Sequence, residues 1–239
     1  MSEFRVPADS GYVATPDEIA YEARAMENAI FTGSRVLIGI YAFGAASLAF
    51  AYFYLRSLNS EGLWRPHGMT APVALGAAIM ALTVAAAALS AWGMRELRGG
   101  GRLNWQVAGW VAVLMGLVAL ALQCWELTDL SFAPGASGYA SCFIGWAVLN
   151  MVLLVSGVYW SETLLARQAH LRRTPVPGSA TVIRSGFEGS EQFLDEITTI
   201  WRIQRSGKQF VVNVESSAYF WLFVAGIAVF FWVFFYVAV

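Results

Sequence analysis

The residues able to do chemistry are few. The 239-residue chain holds two histidines, two cysteines and 16 Asp and Glu. Glu126 is the one acid at the edge of the third long apolar stretch, three residues after Gln123 and three before Asp129. A carboxyl at the hydrocarbon boundary is costly and marks a proton path or the partner of a buried cation. The plainer alternative is an interfacial acid hydrogen-bonded to neighbouring helix ends. Glu162 invites the same two readings, with the plainer one favoured. Arg35, Arg56 and Arg65 lie at the ends of the first apolar stretch or just beyond it. Arginines there either clamp lipid phosphates or snorkel to water. With Glu126, they are the candidates for lipid contact or ion pairing.

Other chemistries are excluded. His67 and His170 both fall outside the apolar stretches, so no imidazole pair is available to hold haem in a membrane. The same gap excludes an intramembrane copper or di-iron centre. Two Cys and two His are too few for a disulfide framework or a zinc cluster. Cys124 and Cys142 flank one hairpin, where a disulfide is geometrically possible. Two small apolar side chains in helix contacts is the favoured reading. Met80, Met94, Met115 and Met151 are scattered among packing positions. No catalytic residue, metal ligand or cofactor of its own is expected.

The elements that carry these residues follow from composition. The chain is 58% hydrophobic and 13% charged, where soluble domains are about 25% charged; its mean hydropathy is +0.57. The formal net charge of −1 offers no basic face to nucleic acid. The apolar residues come in blocks, and about 20 helical residues cross the roughly 30 Å hydrocarbon core. Five blocks qualify: 36–55, 71–94, 103–125, 139–159 and 216–239. The expected fold is all-α, a polytopic membrane bundle of five transmembrane helices. Gly99, Gly100 and Gly101 turn the chain after the second helix, and Pro134, Gly135 and Gly138 mark a hairpin between the third and fourth. Trp105 and Trp125 sit near the ends of the third helix, where rings favour the headgroup level. Ala77, Ala81 and Ala85 form a ladder of small residues that permits close approach of the second helix. The fifth helix is aromatic-rich, with Phe220, Trp221, Phe231, Trp232, Phe235 and Tyr236 among its members.

Residues 1–32 form a polar, acidic N-terminal segment, with a short helix expected from Thr15-Pro16 to about Asn28. It lacks the basic n-region and cleavage site of a signal peptide. Residues 33–166 hold the first four spans, 167–215 a long connection and 216–239 the fifth. Within the connection, Phe193, Ile197, Ile200 and Trp201 are spaced for one helical face between Ser190 and Gln204, while Val211, Val212 and Val214 suggest a short extended piece. A connection of that length serves as a docking surface or a linker. Of the 15 basic residues only Lys208 is lysine. Most gather on the side of the N-terminus, including Arg95, Arg98, Arg102, Arg167, Arg172 and Arg173; the other side has Arg56 and Arg65. The N-terminus is therefore expected in the cytoplasm and the C-terminus outside.

Four strings add a resemblance. Ala51-Tyr52-Phe53-Tyr54-Leu55-Arg56-Ser57 with Trp64-Arg65-Pro66 resembles a helix end in subunit III of haem-copper terminal oxidases. Gln123-Cys124-Trp125-Glu126 looks like that family's Q-x-x-E. Ser137-Gly138-Tyr139-Ala140-Ser141-Cys142-Phe143 looks like its S-x-Y-x-S-x-F, and Ser217-Ala218-Tyr219-Phe220-Trp221-Leu222-Phe223-Val224 is similar to its terminal Y-W-H-F-V-D. The strings occur in the family's order, which makes Gln123, Glu126, Tyr139, Ser141 and Trp221 the family-motif positions. The five-helix count resembles the short bacterial form, in a divergent version. Ile40 to Leu48 lacks the family's Glu, Asn150 and Leu153 stand near its two His, and Leu222 and Ala225 stand for its His and Asp.

The resemblance implies a non-catalytic accessory subunit of a cytochrome c oxidase complex in the bacterial cytoplasmic membrane, not an enzyme by itself. Such a subunit binds phospholipid and supports the proton uptake of catalytic subunit I. Haem and copper lie in that partner, and the other oxidase subunits and membrane lipids are further partners. A quinol oxidase or nitric oxide reductase is the alternative partner. A small membrane transporter is a distant alternative resting on Glu126, Asn150 and Ser156.

Overall fold

The computed structural model describes residues 16–59, 64–66, 69–173 and 190–238. Among them every regular element is helical: α1 (Pro16–Ser57), α2 (Val73–Arg98), α3 (Arg102–Thr128), α4 (Gly138–Arg173) and α5 (Ser190–Trp232), the last continued by a π-helical turn over Val233–Val237. Each of the five contains a stretch long and apolar enough to cross a membrane, so the chain has the build of a multi-pass membrane protein. Helices suit such a sequence because lipid offers the backbone no hydrogen-bond partner, and a helix satisfies its own N–H and C=O groups. The one proline inside these helices is Pro16, at the first position, where the missing N–H would have had no partner anyway.

The turn between α2 and α3 is tight. The N–H groups of Gly99, Gly100 and Gly101 donate to the carbonyls of Arg95, Leu97 and Glu96 at 3.1, 3.1 and 2.8 Å. Gly100 has a φ of 89°, a left-handed conformation that a side chain would strain. The reversal lays α3 along α2, the most extensive pairing in the fold. Helix α5 touches α1, α2 and α4, and α3 bridges α2 to α4. Two apolar clusters fill the space between them. One is built around Leu153, Leu154, Phe220 and Trp221. The other, around Tyr52, Trp64, Tyr139, Phe143 and Phe235, lies at the α3–α4 hairpin end. Trp221 is fully buried because α3 and α4 present glycines to it. A Cβ on Gly116 would stand 2.9 Å from the indole ring, and one on Gly157 3.0 Å.

Several expectations change. The N-terminal helix is not a separate piece: α1 runs unbroken for 42 residues, since a lone Gly33 costs only about 1 kcal/mol against alanine. Val211, Val212 and Val214 are helical within α5. Burial of Phe210 and Val214 in the core, with Phe210 edge-on to Trp105 at 5.3 Å, overrides a weak β preference. The stretch 190–204 is helical as its periodicity predicts, and 174–189 lies outside the described residues. The Ala77-Ala81-Ala85 ladder is not the buried seam of α2. That seam runs through Gly76, Ile79, Thr83, Ala86 and Gly93, a three-and-four spacing that keeps to one face where an every-fourth row drifts off it. Trp105 is 6% exposed and packs inward, while Trp125 is 63% exposed. Cys124 and Cys142 are both free thiols.

Candidate functional site

The end of α5 creates the site. The last carbonyls of any helix lack intrahelical partners, and a bundle interior supplies no water to replace them. Two tyrosines fill the gap: Tyr52 of α1 donates its hydroxyl to the Phe234 carbonyl at 3.0 Å, and Tyr139 of α4 donates to the Phe235 carbonyl at 3.0 Å. The terminal π-helical turn, closed by the Ala238 N–H on the Val233 carbonyl at 2.8 Å, carries Tyr236 back across α2. Its ring lies directly over Gly76, where any Cβ would overlap it.

The Tyr236 hydroxyl donates to Glu126 Oε1 at 2.5 Å. Glu126 is wholly buried. Gln123, one turn earlier on the same face of α3, donates Nε2 to Glu126 Oε2 at 2.6 Å. The Gln123 carbonyl oxygen accepts from Asn150 Nδ2 of α4 at 2.8 Å. Glu126 thus has both oxygens occupied by neutral donors and is tied to α4 through Gln123 and to the end of α5 through Tyr236. A buried carboxyl is tolerated only when its oxygens are satisfied in this way. The arrangement can hold a carboxyl inside a bundle. Its direct partners are Gln123 and Tyr236, not a cation. Among the described residues no group of three or more His, Cys, Asp or Glu could hold a metal ion.

The arginine candidates divide. Arg56 donates Nη1 to the Tyr52 hydroxyl at 2.9 Å. Arg65 donates Nε to the Met69 carbonyl at 2.8 Å and stands 5.3 Å from the centre of the Tyr139 ring. Trp64 joins them, edge-on to Tyr52 at 5.1 Å and to Tyr139 at 6.2 Å. Arg35 lies elsewhere, 3.9 Å over the Phe31 ring, about 30 Å up α1 from Arg56 by helical rise. The remaining motif positions are structural. The Ser141 hydroxyl donates to the Ser137 carbonyl at 3.0 Å and accepts from the Gly135 N–H at 3.2 Å, fastening the start of α4. Trp221 donates Nε1 to the Ser161 hydroxyl at 2.9 Å, well away from Glu126 along α4. Ser156 is bonded to the Val152 carbonyl at 2.8 Å and to Tyr41 at 2.9 Å. Glu162 is exposed. His67 and the side chain of His170 lie outside the described residues.

Sequence reasoning brought Gln123 and Glu126 together and grouped Asn150 with Glu126 only for a transporter reading; it missed Tyr236 and Tyr52 as members of the site. Tyr236 sits 110 residues from Glu126, in a run of aromatics that reads either as lipid-facing or as buried against partners. The one available signal was its hydroxyl, a polar tip that seeks a partner when buried. No protein-family model matches the chain, and no curated protein matches it either.

Proposed function

We propose that the chain is a non-catalytic accessory subunit of the subunit III type in a haem-copper oxidase complex. The reading places the protein in a bacterial cytoplasmic membrane, N-terminus in the cytoplasm, beside a catalytic subunit that carries the haem and copper. The observation that supports it is a convergence. Tyr52 and Arg56, Trp64 and Arg65, Gln123 and Glu126, and Tyr139 come from three separate motif strings, yet they gather at one end of the bundle. Motif residues that meet in space have a shared physical task, here the closing of the hairpin end around a buried carboxyl. The chemistry of the spans agrees with an accessory role. They provide packing surface, a satisfied carboxyl and two arginines suited to lipid phosphate, with no nucleophile–base pair among them. Large apolar side chains such as Phe43, Phe50, Trp110 and Tyr159 face outward, as contacts with lipid or a neighbouring subunit require.

The test is co-purification of the full chain in mild detergent, read by visible absorption and mass spectrometry. The expected result is a-type haem absorbance with a large multi-helix partner. A different haem with its own partner would redirect the proposal to a quinol oxidase or nitric oxide reductase. A stable, colourless, solitary chain would overturn it.

A further inference from the structure

Beside the carboxyl cluster lies a small, partly open space of about 10 Å³, walled in part by Gly76, Gln123, Asn150, Ala228, Trp232 and Tyr236. Two of these residues carry a buried polar atom without a hydrogen-bond partner in the protein: Asn150 Oδ1 and Trp232 Nε1. Asn150 is 1% exposed, so bulk solvent does not reach it. Buried polar atoms left unpaired are costly, and native proteins pair nearly all of them. The two orphans differ in kind. One only accepts and the other only donates. A cation would be repelled by the indole N–H, and an anion by the amide oxygen. A guest that both accepts and donates satisfies the pair, and the room is about that of one water. A third group is at hand. The Tyr236 hydroxyl spends its proton on Glu126, which leaves its oxygen free to accept.

We propose that this space is a binding site for one water molecule, which accepts from Trp232 Nε1 and donates to Asn150 Oδ1 and to the Tyr236 hydroxyl oxygen. Three hydrogen bonds are the usual complement of a buried water. The water closes a ring whose other members are already in place. Asn150 donates to Gln123, Gln123 and Tyr236 both donate to Glu126, and the water donates to Tyr236 and Asn150. The site ties α3, α4 and α5 into one polar node, and it stands whether or not the accessory-subunit reading does.

Ultraviolet resonance Raman spectra of the purified full chain, wild type minus Trp232→Phe, isolate the Trp232 indole and report whether its N–H is hydrogen-bonded. The expected result is a bonded N–H in the wild type and its loss in Ala228→Val, which fills the space without removing a polar group. A free N–H in the wild type would overturn the proposal, and so would a bond that survives in Ala228→Val. Should that variant fail to fold, pulsed X-ray radiolysis of the wild type decides, because an ordered water beside a side chain is a radical source additional to bulk solvent. Oxidation of Tyr236 several-fold above that of Tyr41, a tyrosine that is likewise half-buried, supports the site; equal oxidation of both rejects it.

Discussion

Between the α2–α3 turn and the middle of the bundle, the helices meet around large apolar rings. Trp221 fills the notch made by Gly116 and Gly157, Trp105 stands edge-on to Phe210, and the polar contacts between helices join side chains two at a time: Trp221 with Ser161, Asn104 with Glu96 at 2.7 Å, Tyr41 with Ser156 and a surface ion pair between Arg98 and Glu215 at 2.7 Å. At the α3–α4 hairpin, the rings are as dense, but hydrogen bonds organise them. Three tyrosine hydroxyls reach across helices to two carbonyls and one carboxyl. The contrast separates two ways of joining helices where apolar packing gains nothing over lipid. Shape fit needs small residues opposite large ones. Hydrogen bonding needs few contacts, but each member must find its partner.

The comparison can be broken in order of size. Trp221→Ala is expected to cost about 3–5 kcal/mol, the range for deleting a buried aromatic, seen as a large drop in thermal unfolding midpoint in detergent. A small drop would mean that the notch collapses and that shape fit matters less than the geometry suggests. Tyr236→Phe leaves Glu126 Oε1 without its donor and is expected to cost about 1.5–3 kcal/mol. Combined with Glu126→Gln, it should cost less than the two single changes together, because the residues act as a pair. Strict additivity in that double-mutant cycle would show the hydrogen bond to be energetically idle. Tyr139→Phe uncaps one carbonyl at the end of α5 and is expected to cost about 1 kcal/mol, with faster amide exchange confined to the last turn. Glu215→Gln, at the opposite end, should change stability by less than about 1 kcal/mol and lose that effect in high salt, since its partner Arg98 is half-exposed.

Much of the fold was legible because its signal is local. A run of apolar residues without charge is a span wherever it packs, and each of the five blocks falls inside a helix to within a few residues. Glycine turns were equally readable, since Gly100 needs its left-handed backbone for reasons contained in three residues. The seam of α2 was not. Ala81 and Ala86 look alike in sequence, and only the position of α3 and α5 decides which is buried. The candidate site was half legible. Gln123 and Glu126 lie three residues apart on one helix face, so their meeting follows from helical geometry. Tyr236, Tyr52 and Asn150 reach the same place from other helices, and no local pattern carries that information. Arg35, grouped with Arg56 and Arg65 by residue type, lies a full span away from them.

Three helices are far longer than a bilayer requires. With 42, 36 and 43 residues, α1, α4 and α5 are about 54–65 Å long at the helical rise, against a hydrocarbon core of roughly 30 Å. None has an internal proline to act as a joint. Each is a single unbroken helix, longer than the lipid alone requires. For α5 this makes a lever: one continuous helix links Ser190 to the turn that holds Tyr236 against Glu126.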